Sequence, residues 1–596
     1  MKQTNFDLDG MLQELQNRNR SKAGDFTSME EFKAKLYERI EAEERQRSRK
    51  HLRFYHVCSL AAAVVIAAAG AIFFMLSQAK NDSLSPREDP VKYVKVYSTG
   101  AGIGLPEPFF APAASPPANT WSTMESMPQT NFNTEEYKTF EENPFLSTLT
   151  NPLSTFGADI DTASYTNTRR QLLQNHLPDR DAVRIEEFVN FFSYRYPQPE
   201  PGKKFSVTFE SMAAPWQKNN RLLLIGIQAE NITVQKLPPA NYVFLIDNSG
   251  SMSDDLPIVC EAMKTLLNQL RKSDRLSIVT YGGEVRTHLD GISSGNIDQA
   301  QKVIANLNCN GYTPGGQGIQ TAYKLAHKHF IKGGNNRIVL ITDGDFNVGV
   351  SSESELVKMV EKERSNAIYL SVLGVGMGNY KENKLKMLAN KGNGNCFYID
   401  NLREARQSLK ACFANRMFAI AKDVKFQLEF NPSQVQSYRL LGYEMRKLND
   451  RDFNDDTKDS GEIGVGCQVT ALYEIVPTGA KAPDKSVDDL KYQQRIPVKS
   501  QDILTCKLRY QPVEGKAKST LQSVILPKWP AATENIQWAS CPAEFALLLR
   551  NSPHKGSANY KDLQKRARQH LGDDPNGDRA EFLTLVRNAG ELTPKQ

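Results

Sequence analysis

The sequence predicts an α/β fold: a doubly wound, mostly parallel sheet in the middle of the chain, flanked by a β-sandwich-like domain. Short apolar runs alternate with helical stretches between residues 238 and 414. Runs such as "VFLID" and "IVLIT" contain no alternating polar residues, which is typical of strands that helices cover on both faces. Segments before and after this region do alternate in places, which favours antiparallel strands there.

Length, charge and cysteine content exclude several classes of protein. A chain of 596 residues is too long for one core, so several units are expected. The formal net charge of only +6 argues against a dedicated nucleic-acid binder. The eight cysteines form no C-x-x-C pair, which leaves zinc ribbons and thioredoxin-type redox sites without support.

The N-terminal part predicts a membrane anchor. Residues 57–77 read "VCSLAAAVVIAAAGAIFFMLS" and carry no charge. As a helix they would span about 32 Å, close to the hydrocarbon thickness of a bilayer. The basic residues at 45–53 then place residues 1–54 in the cytoplasm, residues 55–78 in the membrane as one helix, and the bulk of the chain outside the cytoplasm. "SQA" at 77–79 leaves a cleaved signal peptide as an alternative.

The rest of the chain divides into five further segments. A Pro-rich, disordered linker is expected first, then helices and β-strands, then the α/β domain, a β-rich domain and finally helices. Because strands flank the α/β domain on both sides, we expect them to pair into one β-sandwich with the α/β domain inserted in it. In chain order these segments are 79–140, 141–237, 238–414, 415–530 and 531–596.

The α/β domain contains a chemically suggestive stretch, "YVFLIDNSGSM", where an apolar strand ends at Asp247. Ligands of an open parallel sheet bind beyond the carboxyl ends of its strands. Oxygens of Asp247, Ser249 and Ser251 recur at every second position, and Gly250 permits the tight turn that brings them together. Three such oxygens suit a hard divalent cation, Mg²⁺ or, alternatively, Mn²⁺ or Ca²⁺.

Two later loops offer further oxygen ligands. Thr313 lies in the Gly-rich segment "CNGYTPGGQG" just before a predicted helix, and Asp343 ends the apolar run "IVLITD". The five residues Asp247, Ser249, Ser251, Thr313 and Asp343 together resemble the metal-ion-dependent adhesion site of von Willebrand factor type A (VWA) domains. The segments "FGADIDTASYTNTRRQLLQ" and "NGDRAEFLTLVRNAGEL" extend the resemblance to the bacterial, envelope-associated YfbK-like family, over roughly residues 141–590.

The resemblance implies that both serines and Thr313 ligate the ion directly, and that the aspartates act directly or through water. A site with few direct carboxylates leaves the ion under-neutralised. It therefore keeps a position for an Asp or Glu carboxylate of a partner protein. The expected function is metal-dependent protein–protein interaction or adhesion at the cell envelope, without catalysis.

Two other functions remain open from the sequence. "GISSG" at 291–295 matches G-x-S-x-G, which would make Ser293 the nucleophile of a serine hydrolase, and Asp247 at a strand end is compatible with an aspartyl-type hydrolase. Against the serine hydrolase, His327 and His329 fall within a predicted helix. The other alternative is a structural envelope component that the metal only stabilises.

Overall fold

The computed structural model describes residues 137–594, apart from 268, 310–314, 345–352, 377–381, 412–417, 457, 459, 481–497, 499 and 514–517. The predicted cytoplasmic segment 1–54, the predicted membrane helix 55–78 and most of the predicted linker 79–140 lie outside the described residues. Among the helices that are described, none combines the length and the apolar character needed to cross a bilayer.

In the described part of the chain, four strands and two α-helices precede the α/β domain. They are β1 (Leu146–Ser147), β2 (Leu153–Gly157), α1 (Ala163–Leu173), α2 (Ile185–Asn190), β3 (Phe205–Ala214) and β4 (Gln217–Ala229).

The α/β domain alternates strands with helices. Its strands are β5 (Ala240–Asp247), β6 (Arg275–Tyr281), β7 (Arg286–Ile292), β8 (Asn335–Thr342), β9 (Ile368–Val375) and β10 (Cys396–Ile399). Its helices are α3 (Leu256–Leu267), α4 (Ile297–Ala305), α5 (Gly315–Lys328), α6 (Glu353–Ser365), α7 (Glu382–Lys391) and α8 (Leu402–Ala411).

The strands that follow are β11 (Ala419–Phe430), β12 (Val435–Leu441), β13 (Gly461–Gly464), β14 (Gln468–Pro477), β15 (Leu504–Pro512) and β16 (Thr520–Leu526). The described chain closes with the helices α9 (Glu534–Leu549), α10 (Tyr560–Gln569) and α11 (Asp578–Leu592).

The central sheet has the order β10-β9-β8-β5-β6-β7 and is parallel except for β7, which runs antiparallel to β6. This confirms the predicted doubly wound, mostly parallel α/β sheet. Every residue of β5 is buried, because helices cover both faces. Val243 and Leu245 belong to the core on one face, whereas Phe244 and Ile246 belong to the core on the other.

Strands from the segment before the α/β domain pair with strands from the segment after it. Strand β4 pairs with β14 in the sheet β1-β12-β14-β4-β3, and β2 pairs with β11 in the sheet that also holds β13, β15 and β16. Aromatic rings join the two sheets: Phe430 of β11 stacks on Tyr438 of β12, with ring centroids 4.1 Å apart. This pairing is the arrangement that the strand count predicts.

The segment "RLLLIGI" of strand β4 does not alternate between apolar and polar residues. Leu222 and Leu224 face a core shared with α2, α9 and α11, whereas Leu223 and Ile225 face the core between the two sheets. Both faces of this strand are therefore buried, and apolar residues are needed at every position.

A buried arginine clamps the α/β domain to its flanks. Arg169 of α1 donates from Nε to Asp400 Oδ2 at 2.7 Å and from Nη2 to Glu404 Oε2 at 3.0 Å, both at the end of the central sheet. Its Nη1 lies 3.3 Å from Glu581 Oε2 of α11. The Arg169 side chain is fully buried, so its removal leaves three carboxylates without their shared cation.

We expect Arg169→Ala to lower the free energy of unfolding by about 3–5 kcal/mol, because it breaks a buried ionic network on one side only. Urea unfolding followed by circular dichroism measures the loss. The matched control is Arg195→Ala, since Arg195 has a side chain 76% exposed and pairs with exposed Asp573. Equal stability of the two variants would contradict the clamp.

Candidate metal centre

Asp247 ends β5 at the carboxyl edge of the sheet, and its carboxylate is fully buried. The backbone N–H of Ser249 donates to Asp247 Oδ1 at 2.9 Å, and Thr342 Oγ1 donates to Oδ2 at 3.2 Å. These two hydrogen bonds orient the carboxylate and connect the ends of β5 and β8. The aspartate is therefore fixed before any ligand binds.

The two serines follow on a short 3₁₀ turn over Gly250–Ser253. Ser249 Oγ lies 3.1 Å from Ser251 Oγ. Exposure increases along this arc, because Asp247 and Ser249 are buried whereas Ser251 is exposed. The arc thus leads from a buried carboxylate through the buried Ser249 to the exposed Ser251.

Asp343 directly follows Thr342 and is 4% exposed. Burial is the main cause that raises the pKa of Asp247, and the nearby charge of Asp343 adds to it. Four of the five predicted site residues, Asp247, Ser249, Ser251 and Asp343, are described, and they meet at one edge of the sheet.

The fifth, Thr313, lies outside the described residues, so its part in the site stays a prediction. Described residues on both sides of that segment contact the strand ends. The carbonyl of Asn308 accepts a hydrogen bond from Asn248 Nδ2 at 3.1 Å, and Gly318 of α5 packs against Tyr281, the residue beside Asp247 in β6.

Asp255, a residue that our sequence reasoning missed, also belongs to this edge. It is half-buried and immediately precedes α3. A Cβ built on Gly376 would lie 3.0 Å from both Asp255 Oδ2 and Asp343 Cβ, so a side chain at position 376 would crowd these acids. Asp255 lies close in sequence to the segment "DNSGS", which could have indicated its role. Only the folded structure brings it near Asp343.

Burial and mutual repulsion disfavour the charged forms of these acids. Burial raises the pKa of Asp247 to about 6, although the hydrogen bonds from Ser249 lower it. The charge of Asp343 also contributes to the raised pKa. Burial, then Asp343 and Asp254, raise the pKa of Asp255 to about 6, while Arg170 of α1 opposes them. A bound cation would relieve this repulsion, and carboxylate and hydroxyl oxygens are hard ligands, so the residues fit a divalent ion.

A serine-hydrolase site is not assembled around Ser293. Strand β7 runs antiparallel to β6 and pairs Ile292 with Leu276 at the start of β6, so Ser293 lies at the edge opposite to Asp247. His329 Nε2 lies 2.6 Å from Asp290 Oδ1, but no hydrogen bond joins Ser293 Oγ to a histidine within the described part of the chain.

Family comparisons agree with this geometry. The family model described as "von Willebrand factor type A domain" matches residues 241–411. The model "Uncharacterized protein YfbK, C-terminal" matches residues 415–592, and the model "von Willebrand factor" matches residues 131–224. The fold and these matches define a protein with a VWA domain. Such a domain indicates protein–protein interaction or adhesion, and VWA domains often bind a divalent metal ion.

A comparison over most of the chain gives a more specific relative than the domain matches do. The uncharacterized protein YfbK of Escherichia coli (strain K12) is 39% identical over 473 residues, covering 77% of this chain and 82% of that protein. The chain therefore belongs to the YfbK family.

More distant similarity is confined to part of the relative or to the general shape. The inter-alpha-trypsin inhibitor heavy chain H2 of Mesocricetus auratus is 30% identical over 197 residues, which cover 32% of this chain and 21% of that protein. A solved structure, "von Willebrand factor type A from Catenulispora acidiphila", is 14% identical and covers 66% of this chain and 97% of its own, with a TM-score of 0.35.

We expect the Asp247 carboxyl to reduce the stability of the metal-free protein as the pH rises from about 4 to about 6. Folded Asp247 releases its proton near pH 6, whereas an unfolded aspartate does so near its ordinary value of 3.8. The folded state therefore holds more protons in this interval, and this residue lowers the free energy of unfolding by up to about 1.4 kcal/mol per pH unit.

Urea unfolding in EDTA at several pH values measures this slope for the wild type and for Asp247→Asn, which has no proton to lose. The wild type should lose stability relative to the variant across the interval. Parallel pH profiles would show that the Asp247 carboxyl is not held in the buried, repelled state described above.

Proposed function

We propose that this protein binds a partner protein through a divalent cation, Mg²⁺ or a similar ion, at the carboxyl edge of its VWA sheet. Ser249, Ser251 and Thr313 would hold the ion directly, and Asp247 and Asp343 would hold it directly or through water. The observation that carries the proposal is the convergence of Asp247, Ser249, Ser251 and Asp343 on one edge.

The residues of the site suit binding of an acidic group. Asp247, Asp343 and Ser249 are buried, whereas Ser251 is exposed at the open side of the site. A divalent ion held mainly by neutral hydroxyls supplies positive charge to an incoming carboxylate. Asp247, which hydrogen bonds from Ser249 N–H and Thr342 orient, would keep the serine loop in place when the partner's carboxylate binds.

Binding rather than catalysis is supported by the same geometry. Ser293 lies at the opposite edge of the sheet, and Ser249 follows Asp247 where a phosphoaspartyl enzyme would usually have a second acid. We therefore propose a non-enzymatic, adhesive role at the cell envelope.

The proposed location is the cytoplasmic membrane, with one span at residues 55–78, the N-terminus in the cytoplasm and the VWA domain outside it. The uncharged stretch at 57–77 and the basic residues at 45–53 support this orientation. The partner would then be a protein of the envelope that presents an Asp or Glu carboxylate.

We expect Asp247→Asn to remove one Mg²⁺ site while the chain stays folded, because the amide keeps the shape of the carboxyl but not its charge. Isothermal titration of the full chain in detergent measures the site, and circular dichroism verifies the fold. The matched control, Asp290→Asn, alters an exposed aspartate on β7 and should bind Mg²⁺ like the wild type.

Capture of envelope proteins tests the role of that ion. The tagged wild type should retain partners from solubilised membranes in Mg²⁺ and release them in EDTA, and Asp247→Asn should retain none. Retention that is unaffected by EDTA would contradict metal-bridged binding. Ester hydrolysis that disappears in Ser293→Ala would favour the hydrolase instead.

We expect the protein to resist carbonate extraction from membranes, and deletion of residues 55–78 to abolish this resistance. Protease added outside the cytoplasmic membrane should digest the VWA domain but spare an epitope placed within residues 1–54. A soluble product whose sequence starts near residue 80 would instead establish a cleaved signal peptide.

A further inference from the structure

A second group of acids lies buried where four parts of the chain meet. Asp159 follows β2, Glu186 and Glu187 lie on α2, and all three are at most 8% exposed. One carboxylate oxygen from each lies within 4.8 Å of the other two. We name this group the junction triad. It shares no residue with the proposed metal site of Asp247, Ser249, Ser251, Thr313 and Asp343, which we call the strand-end site.

Two members of the junction triad already have partners. Asp159 Oδ2 accepts from Arg446 Nε at 2.9 Å, and its Oδ1 accepts from the backbone N–H of Asp161 at 3.0 Å. Glu187 Oε2 accepts from the N–H of Ser164 at 2.8 Å, and its Oε1 pairs with Lys386 of α7. These contacts fix both carboxylates in position.

The third member, Glu186, differs. Its side chain is buried at 2% exposure, and Oε2 has no hydrogen-bond partner. A Cβ built on Gly442 would lie only 2.4 Å from that oxygen, so the carboxylate packs against bare glycine backbone instead of a donor. Burying a carboxylate oxygen without a partner is costly, which points to a ligand that the protein side chains do not supply.

The charges around the triad do not balance. Asp161 and Glu444 join the three triad acids, making five carboxyls that interact electrostatically. The cationic groups facing them are Arg446, Lys386 and Arg550. Among these principal neighbours, five carboxyls face three cations.

We propose that the junction triad binds one calcium ion. Carboxylate oxygens are hard ligands, and calcium–oxygen bonds of about 2.3–2.6 Å span the separation of the three oxygens. Mg²⁺ binds at about 2.1 Å and gives up its waters reluctantly, so a buried site favours calcium.

A calcium ion here would stabilise the junction between the α/β domain and its flanks. Lys386 on α7 belongs to the α/β domain, whereas Asp159, α2 and Arg446 belong to the flanking segments. Asp161 Oδ1 also accepts from the N–H of Cys396 in β10 at 3.1 Å. The site therefore joins the same parts that Arg169 clamps elsewhere.

Equilibrium dialysis with radioactive Ca²⁺ tests this assignment. The full chain is used in detergent with Asp247→Ala and Asp343→Ala, which remove the strand-end site, and we expect one bound ion per chain. Adding Glu186→Gln should weaken binding at least about tenfold, since it removes one charged ligand. The matched control, Glu361→Gln, alters a mostly solvent-facing acid on α6 and should leave binding unchanged.

Melting curves separate loss of the ligand from loss of the fold. Ca²⁺ should raise the melting temperature of the parent but not of the Glu186→Gln variant. In EDTA this variant should melt at or above the parent, because it no longer buries an unpartnered carboxylate. Asp159→Asn should also lose the rise caused by Ca²⁺, but it should melt below the parent in EDTA because Arg446 loses its ionic partner. The proposal is wrong if the parent binds no Ca²⁺, or if Glu186→Gln and Asp159→Asn bind it as tightly as the parent.

Discussion

The parallel pairing of β5 with β8 and β6 is the constraint on which the strand-end site depends. Because Ile246 lies opposite Ile341 in β8, the chain leaves both strands at the same edge and brings Asp247 beside Thr342 and Asp343. Burial of β5 on both faces fixes this register, and the hydrogen bond from Thr342 to Asp247 completes it. Four described side chains, spread over almost a hundred residues of sequence, thereby become candidates for one ion.

The sequence predicts this part of the fold well for a physical reason. Unbroken apolar runs such as "VFLID" form when helices cover both faces of a strand, and acids that end such runs must gather at one edge. The antiparallel direction of β7 was not predicted, because it depends on the short turn after β6. Asp255 escaped notice because only the packing around Gly376 brings it to Asp343.

The junction triad was even less accessible to sequence reasoning. Asp159 and Glu186 are separated by a helix, and their partner Arg446 lies beyond the whole inserted α/β domain. Pairing of β4 with β14 and of β2 with β11 brings these segments together. Because the α/β domain is inserted between the two flanking segments, charged residues from both segments meet against helix α7 of that domain.

The central claim is that the strand-end residues form a cation site with room for a partner's carboxylate. Crystals of the described region grown with Mn²⁺, measured at the manganese absorption edge, test it most directly. An anomalous peak within about 2.5 Å of Ser249 Oγ and Ser251 Oγ, with Thr313 as a third ligand, is the predicted result. A peak that avoids these hydroxyls, or Thr313 turned away from the ion, would contradict it.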